Sequence, residues 1–326
     1  MQRVKVLCSV SDWSVINRGV PQGSVLGPLL FNIFLNDLFY INISACIANY
    51  ADDNNLCNSN DNLDHLKLSL AQDTISTMKW YTDNELEANP DKFQCVIMGR
   101  SGSIDVTIPL QDKLICSSKD IKVLGVILDA QLNFKPYVSQ ICARASRQLN
   151  AFKRVSKFLD VSGRLKVYHS FISANFTYCP VTWIFCGKMN SDKLEKIQEK
   201  ALRVVYKDFD SSYEDLLTKA DMLSLSTYRL RFLAIEMFKC VNGQNPKYLN
   251  DLFTKKSMAY DLRVSDLLIQ RKFKTYKFGY RSFTYYGAKL WNSLPADLKQ
   301  SQSLQIFKSR LYGWCRSDKA KSLTIF

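Results

Sequence analysis

The chain opens on short alternating runs of apolar and polar residues. Near residue 129 it changes to long stripes with helical spacing. QRVKVLC (2–8) and SVIN (14–17) read as short strands, and NRGVPQGSVLGP is a Gly/Pro loop. Pro28 suits the first turn of an apolar, buried helix from about 28 to 40. ACIANYADDNNLCN (45–58) then reads as a hairpin with Asp52 and Asp53 at its tip. Residues 61–87 place Leu63, Leu66, Leu70, Ile75, Met78 and Leu86 at mostly helical spacing. QCVIMG (94–99) and KVLGVILD (122–129) read as strands. Beyond them Ile141, Ala145, Leu149, Phe152 and Leu159 mark one helical stripe, with Arg144, Arg147, Arg154 and Lys157 largely off it. Further helices are expected near 161–176, 190–206, 224–241 and 303–316. Strands mixed with helices early and helices late argue for an α+β fold. There is no internal repeat and no low-complexity linker.

Bulk properties narrow this further. A chain of 326 residues with 47% apolar content suggests about two well-packed domains. PLLFNIFLNDLFYI is interrupted by Asn32, Asn36 and Asp37, so no membrane span is expected. The first twenty residues lack the long apolar block of a secretory signal. Ten scattered cysteines form no CxxC pair. Cys179, Cys186 and His169 match no zinc spacing, so reduced thiols in an intracellular compartment are expected, with nucleus and cytoplasm indistinguishable.

Charge divides unevenly. Residues 1–128 carry 10 Lys and Arg against 14 Asp and Glu, whereas 129–326 carry 34 against 16, a net +18. Such a basic half meets a polyanion, or it is a solvated surface. In QRKFKTYKFGYRSFTYYGAKLW (270–291), Lys274, Lys277 and Arg281 interleave with Tyr276 and Tyr280. That pattern grips single-stranded nucleic acid by stacking and charge, or it is a β-rich edge guarded by lysines. The paired aspartates also admit two readings. Asp and Asn favour turns through local backbone bonds, and adjacent carboxylates hold a divalent cation that relieves their repulsion.

GVPQGSVLGP (19–28), YADD (50–53), NPDKFQCVIMG (89–99) and VLGVILD (123–129), in that order, resemble a reverse transcriptase of the non-LTR, LINE-type (jockey-like) mobile elements. The likeness continues through YVSQICARASRQL, LEKIQEKALRVVY and YYGAKLWNSLPADL. It implies an RNA-directed DNA polymerase, a nucleotidyltransferase with RNA template, DNA primer and deoxynucleotides as partners. Residues 1–128 would be the C-terminal part of fingers and palm, and 129–326 a basic, mainly helical thumb and C-terminal extension. Asp52 and Asp53 would be catalytic carboxylates of a site for two Mg²⁺ ions, with Tyr50 shaping the hairpin. Gln22, Gly23 and Ser24 would line the nucleotide and template pocket. Lys92 would protonate the leaving pyrophosphate, although a solvated turn lysine reads equally well there. Leu124 and Gly125 would sit in a strand gripping the primer. Arg144, Arg147, Arg154, Lys157, Lys274, Tyr276, Lys277, Tyr280 and Arg281 would face nucleic acid.

The family's third carboxylate lies upstream, in a motif shaped like DFxKAFD, and no such string precedes residue 18. The chain thus reads as truncated and inactive as written, or as a nucleic-acid-binding remnant. Without the strand bearing that motif, the hairpin keeps an open edge beside Gln22. The 28–40 helix then exposes Leu and Phe surface, and self-association follows.

Overall fold

The computed structural model describes residues 1–15, 19–20, 23–99, 104–110, 113–256 and 267–323. They form two compact units, Met1–Cys95 with Ile104–Ser118, and Val96–Ser103 with Lys119–Phe326.

The first unit begins with β1 (Lys5–Val6) and β2 (Ser9–Val10), an antiparallel pair with the single bridge Gln2–Ser14 beyond it. Helix α1 (Gly27–Leu35) starts with Pro28 in its first turn, where a missing N–H costs nothing. A tighter 3₁₀ turn, Asn36–Tyr40, continues it to the expected end. Strands β3 (Cys46–Tyr50) and β4 (Asp53–Cys57) form the expected hairpin, paired from Cys46–Cys57 to Tyr50–Asp53. Helix α2 (Leu63–Asp83) is capped by Asn62, whose side chain accepts from the Asp64 and His65 amides. The hairpin β5 (Thr107–Leu110) and β6 (Lys113–Cys116) packs on α2. A small core gathers Leu35, Leu38 and Trp80, flanked by Phe31, Ile41, Ile47 and Leu86. Leu29, Leu30, Ile33 and Phe34 of α1 are exposed. The helix therefore lacks the burial its all-round apolar surface implies and exposes Leu, Ile and Phe side chains.

Two strands differ from expectation. Residues 94–99 make one isolated bridge, Cys95–Ser117, and no strand. Residues 122–129 are a hairpin, β7 (Asp120–Val123) and β8 (Val126–Asp129). Leu124 and Gly125 both take positive φ, +46° and +85°, the backbone of a tight two-residue turn. They are a turn, not a strand, and the Tyr178 hydroxyl donates to the Leu124 carbonyl at 2.6 Å.

The rest of the second unit is helical. Its elements are α3 (Lys135–Val155), α4 (Val161–Val167), α5 (Ala174–Thr177), α6 (Lys188–Tyr206), α7 (Tyr213–Lys219), α8 (Leu225–Val241), α9 (Lys247–Asn250), α10 (Phe283–Ser293), α11 (Ala296–Lys299), α12 (Leu304–Trp314) and α13 (Asp318–Ser322). A wider π turn, Tyr168–Ser173, joins α4 to α5, so 161–177 is one helical run. The stripe Ile141, Ala145, Leu149 and Phe152 packs with Leu194, Ala201 and Val205 of α6 in one core. A second core joins α8, α10 and α12, where Phe238 stacks on Phe307 at 4.4 Å. Gly287 permits that junction, since a Cβ there would meet the Met237 sulfur at 2.5 Å. Among the described residues no helix is long and apolar enough to cross a membrane.

Candidate functional site

Asp52 and Asp53 lie at the tip of the β3–β4 hairpin. Its two-residue loop is Ala51–Asp52, and Ala51 takes a left-handed φ of +53°. Asn49 stiffens the turn, its amide donating to the Ala51 carbonyl at 2.9 Å and to Asn54 Oδ1. Asn54 in turn donates to the Tyr81 hydroxyl on α2. Burial pushes the Tyr81 phenol up. Both carboxylates and Tyr50 are exposed. Among the described residues the strands have no third partner, since β3 and β4 make a sheet by themselves and residues 1–8 do not cap it.

The base of the hairpin is held by a side chain that sequence reasoning missed. Asp73 on α2 is only 4% exposed. Its carboxylate accepts from the Ser44 amide (3.0 Å), the Ser44 hydroxyl (2.8 Å), the Ala45 amide (2.8 Å) and, more weakly, the Asn58 amide group (3.4 Å). One helix residue thereby ties both ends of the hairpin. A carboxylate amid Leu70, Thr77 and Trp80 on the packed side of α2 was the available signal. Beside it Cys46 faces Cys57, whose thiol is pushed up by burial first and by its neighbour second.

The remaining expected residues are more scattered. Gly23 takes φ +80° with open space where a Cβ would stand, so its role is backbone conformation. Ser24 Oγ accepts from the Gly27 amide, the first of α1, at 3.1 Å, while the N-cap position itself is Leu26, without a side-chain cap. Gln22 lies outside the described residues. Lys92 is exposed at the end of a 3₁₀ turn, Pro90–Lys92, which Asn89 caps. Among the described residues, no hydrogen bond or ion pair joins Lys92 to either aspartate.

Adjacent carboxylates offer the hard oxygen donors that Mg²⁺ takes. Among the described residues, no group of three or more His, Cys, Asp or Glu side chains could hold a metal ion. Asp52 and Asp53 by themselves therefore do not make a complete divalent-cation site.

In the second unit Arg144, Arg147, Arg154 and Lys157 are all exposed, off the buried stripe of α3. The segment 270–291 is no β-rich edge: a single helical turn, Tyr276–Tyr280, precedes α10. The Tyr276 and Tyr280 rings stack at 4.7 Å and 10°, and the Arg281 guanidinium lies 5.4 Å from the Tyr276 ring. Tyr276 is 59% exposed and Lys274 and Lys277 are exposed, whereas Tyr280 and Arg281 are half-buried. Tyr286 and Trp291, from the same interleaved stretch, belong to the core.

Residues 5–128 match the family described as reverse transcriptase (RNA-dependent DNA polymerase). Among curated proteins, the probable RNA-directed DNA polymerase from transposon BS of Drosophila melanogaster is 27% identical over 62% of this chain and 24% of its own length. The RNA-directed DNA polymerase from mobile element jockey of Drosophila funebris is 24% identical over 60% of this chain and 22% of its own. Its Drosophila melanogaster counterpart is 26% identical over 58% and 22%. No solved structure matches. The chain spans about a quarter of the length of these relatives. Residues 5–128 are thus similar to reverse transcriptases, and the chain is similar to the polymerases of non-LTR, LINE-type (jockey-like) mobile elements.

Proposed function

We propose that these residues form part of an RNA-directed DNA polymerase that extends a DNA primer on an RNA template. Asp52 and Asp53 would supply two carboxylates of its Mg²⁺ site. The observation that carries this reading is the exposed pair of aspartates at a two-residue hairpin tip, within the segment similar to reverse transcriptases. Phosphoryl transfer asks the protein chiefly to position cations and charge, which is the part such a tip performs. A third carboxylate has to come from elsewhere, because Mg²⁺ dehydrates reluctantly and wants near-octahedral oxygens.

The 326-residue chain by itself is expected to give no extension of a primed RNA template with Mg²⁺. Placed in a jockey-like polymerase in exchange for the corresponding segment, it should support extension, and Asp52→Asn or Asp53→Asn should abolish it. Extension that survives both substitutions would overturn the assignment.

A second reading, nucleic-acid binding without catalysis, is favoured by the net +18 of residues 129–326 and by the exposed arginines of α3. Binding of the full chain to single-stranded RNA should then fall with salt at a log–log slope of about −0.7 for each phosphate neutralised. Affinity that stays flat with salt would exclude that surface as a phosphate-binding face.

A further inference from the structure

Within the second unit a cleft of about 470 Å³ opens between β8 and α3 on one side and the Tyr276–Tyr280 turn on another. Its walls include the rings of Phe134, Phe185, Phe278 and Phe283, and Lys277 and Arg281 line it as well. Phe134 and Phe185 are nearly fully buried, whereas Phe278 and Phe283 are half-buried. Phe283 is held edge-on by Phe253 at 5.3 Å, so the wall is set before anything enters. Lys277 gives one hydrogen bond to Gln131 and lies 4.9 Å from the Phe278 ring, which leaves an ammonium with further donors. Among the described residues Glu236 is the one carboxylate on the lining, and it is already engaged by Lys239 at 2.8 Å.

We infer that this cleft takes an unpaired base of a single-stranded nucleic acid, with Lys277 and Arg281 meeting the adjoining phosphates. The inference rests on the nucleic-acid-binding reading above and goes further, by naming where a base is held. Three observations favour this occupant. The size falls in the range of sites that enclose small planar ligands, about 300–1,000 Å³. Aromatic walls suit a π face whatever the base identity. The cations come from the same turn that stacks Tyr276 on Tyr280, in a half of the chain with net +18, so the surroundings are complementary to a polyanion. An apolar peptide would use the rings and leave the exposed Lys277 ammonium unused.

The test compares an oligouridylate with an abasic ribose–phosphate oligomer of equal length, both binding to the full 326-residue chain. The base-bearing strand should bind about 5- to 150-fold more tightly, the range for one stacked base. Thr182 is exposed on the lining, and Thr182→Trp should fill the cleft. That variant should bring the ratio close to one while leaving abasic affinity and salt slope unchanged. An oligomer carrying 4-thiouridine, crosslinked to the unaltered chain, should label peptides within 181–185 or 277–283. Crosslinks confined elsewhere overturn the cleft assignment even if the variant fails to fold. A folded Thr182→Trp with the original ratio, or equal binding of both oligomers, overturns it and leaves phosphate binding standing. Binding of neither oligomer removes both readings together.

Discussion

Replacing Asp73 with Asn tests whether one buried carboxylate holds the aspartate hairpin in place. The substitution keeps the shape and turns one acceptor oxygen into an amide donor. If the NH₂ takes the Oδ2 position, the Ala45 amide at 2.8 Å faces a donor. The Ser44 hydroxyl can rotate to accept, whereas a backbone N–H cannot. If the NH₂ takes Oδ1, the Ser44 amide is stranded instead. Stranding the buried Ala45 N–H costs about 1–3 kcal/mol, and stranding the part-buried Ser44 N–H falls toward the low end of that range. The surviving bonds lose their charge assistance, which roughly doubles a hydrogen bond's strength, so about 1 kcal/mol more is lost. The expected total is about 2–4 kcal/mol of local stability. Two compact units make a single unfolding midpoint ill-defined, so amide hydrogen exchange is the suitable assay. Amides of β3 and β4 should exchange about 30- to 700-fold faster, since 1.4 kcal/mol is tenfold. Unchanged exchange over Ala45–Tyr50 would refute the anchoring role. An equal rise throughout Met1–Cys95 would show global loss and not a freed hairpin.

Asp129 is buried and accepts from the Phe134 amide at 2.6 Å and from those of Gln131 and Asn133, closing the turn into α3. Asp129→Ala should cost about 1–3 kcal/mol, seen as faster amide hydrogen exchange over the turn 131–134 and the start of α3. Burial pushes the Tyr137 phenol and the Cys315 thiol each up to about 12, from 10.0 and 9.0. Folded protein then holds these protons where the unfolded chain has released them, so stability should fall as pH rises from about 9 to about 12. A urea transition of the helical second unit, followed by far-ultraviolet circular dichroism, that is level across that window would contradict this burial. The open edges of β3–β4 and the exposed Leu29, Leu30, Ile33 and Phe34 of α1 should drive self-association at micromolar concentration. A clean monomer by sedimentation would count against it.

What was legible in the chain follows the range of the forces involved. The stripe from Ile141 to Phe152 is buried along α3 because helical spacing is a local rule. Leu159, read into the same stripe, lies beyond the helix end and is half-buried. The apolar run 122–129 concealed a turn because Leu124 is an unusual choice at positive φ, and the strong Asn-Gly signal is missing. Helix α7 carried a readable sign, the capping box of Ser212 with Asp215. Helix α10 was harder: FTYYGAKLW favours strands by composition, and the local sign is the Ser282 side chain, which accepts from the Tyr285 amide as an N-cap.

The same division applies to the site. Asp52 and Asp53 could be placed at a hairpin tip because tip, strands and turn residues are contiguous. What steadies the tip is a long-range contact. Asp73 stands some twenty residues away in sequence, and its donors are backbone amides, which every residue has, so no pattern marks them. The cleft beside Phe278 is harder still, assembled from separate stretches around 132, 182, 245 and 280. The one general sign is polarity out of place. Leu70, Asp73, Thr77 and Trp80 share the packed side of α2, and a carboxylate there is too costly to bury alone. Some other segment must therefore bring donors to it, and in this chain that segment is the hairpin bearing the two aspartates.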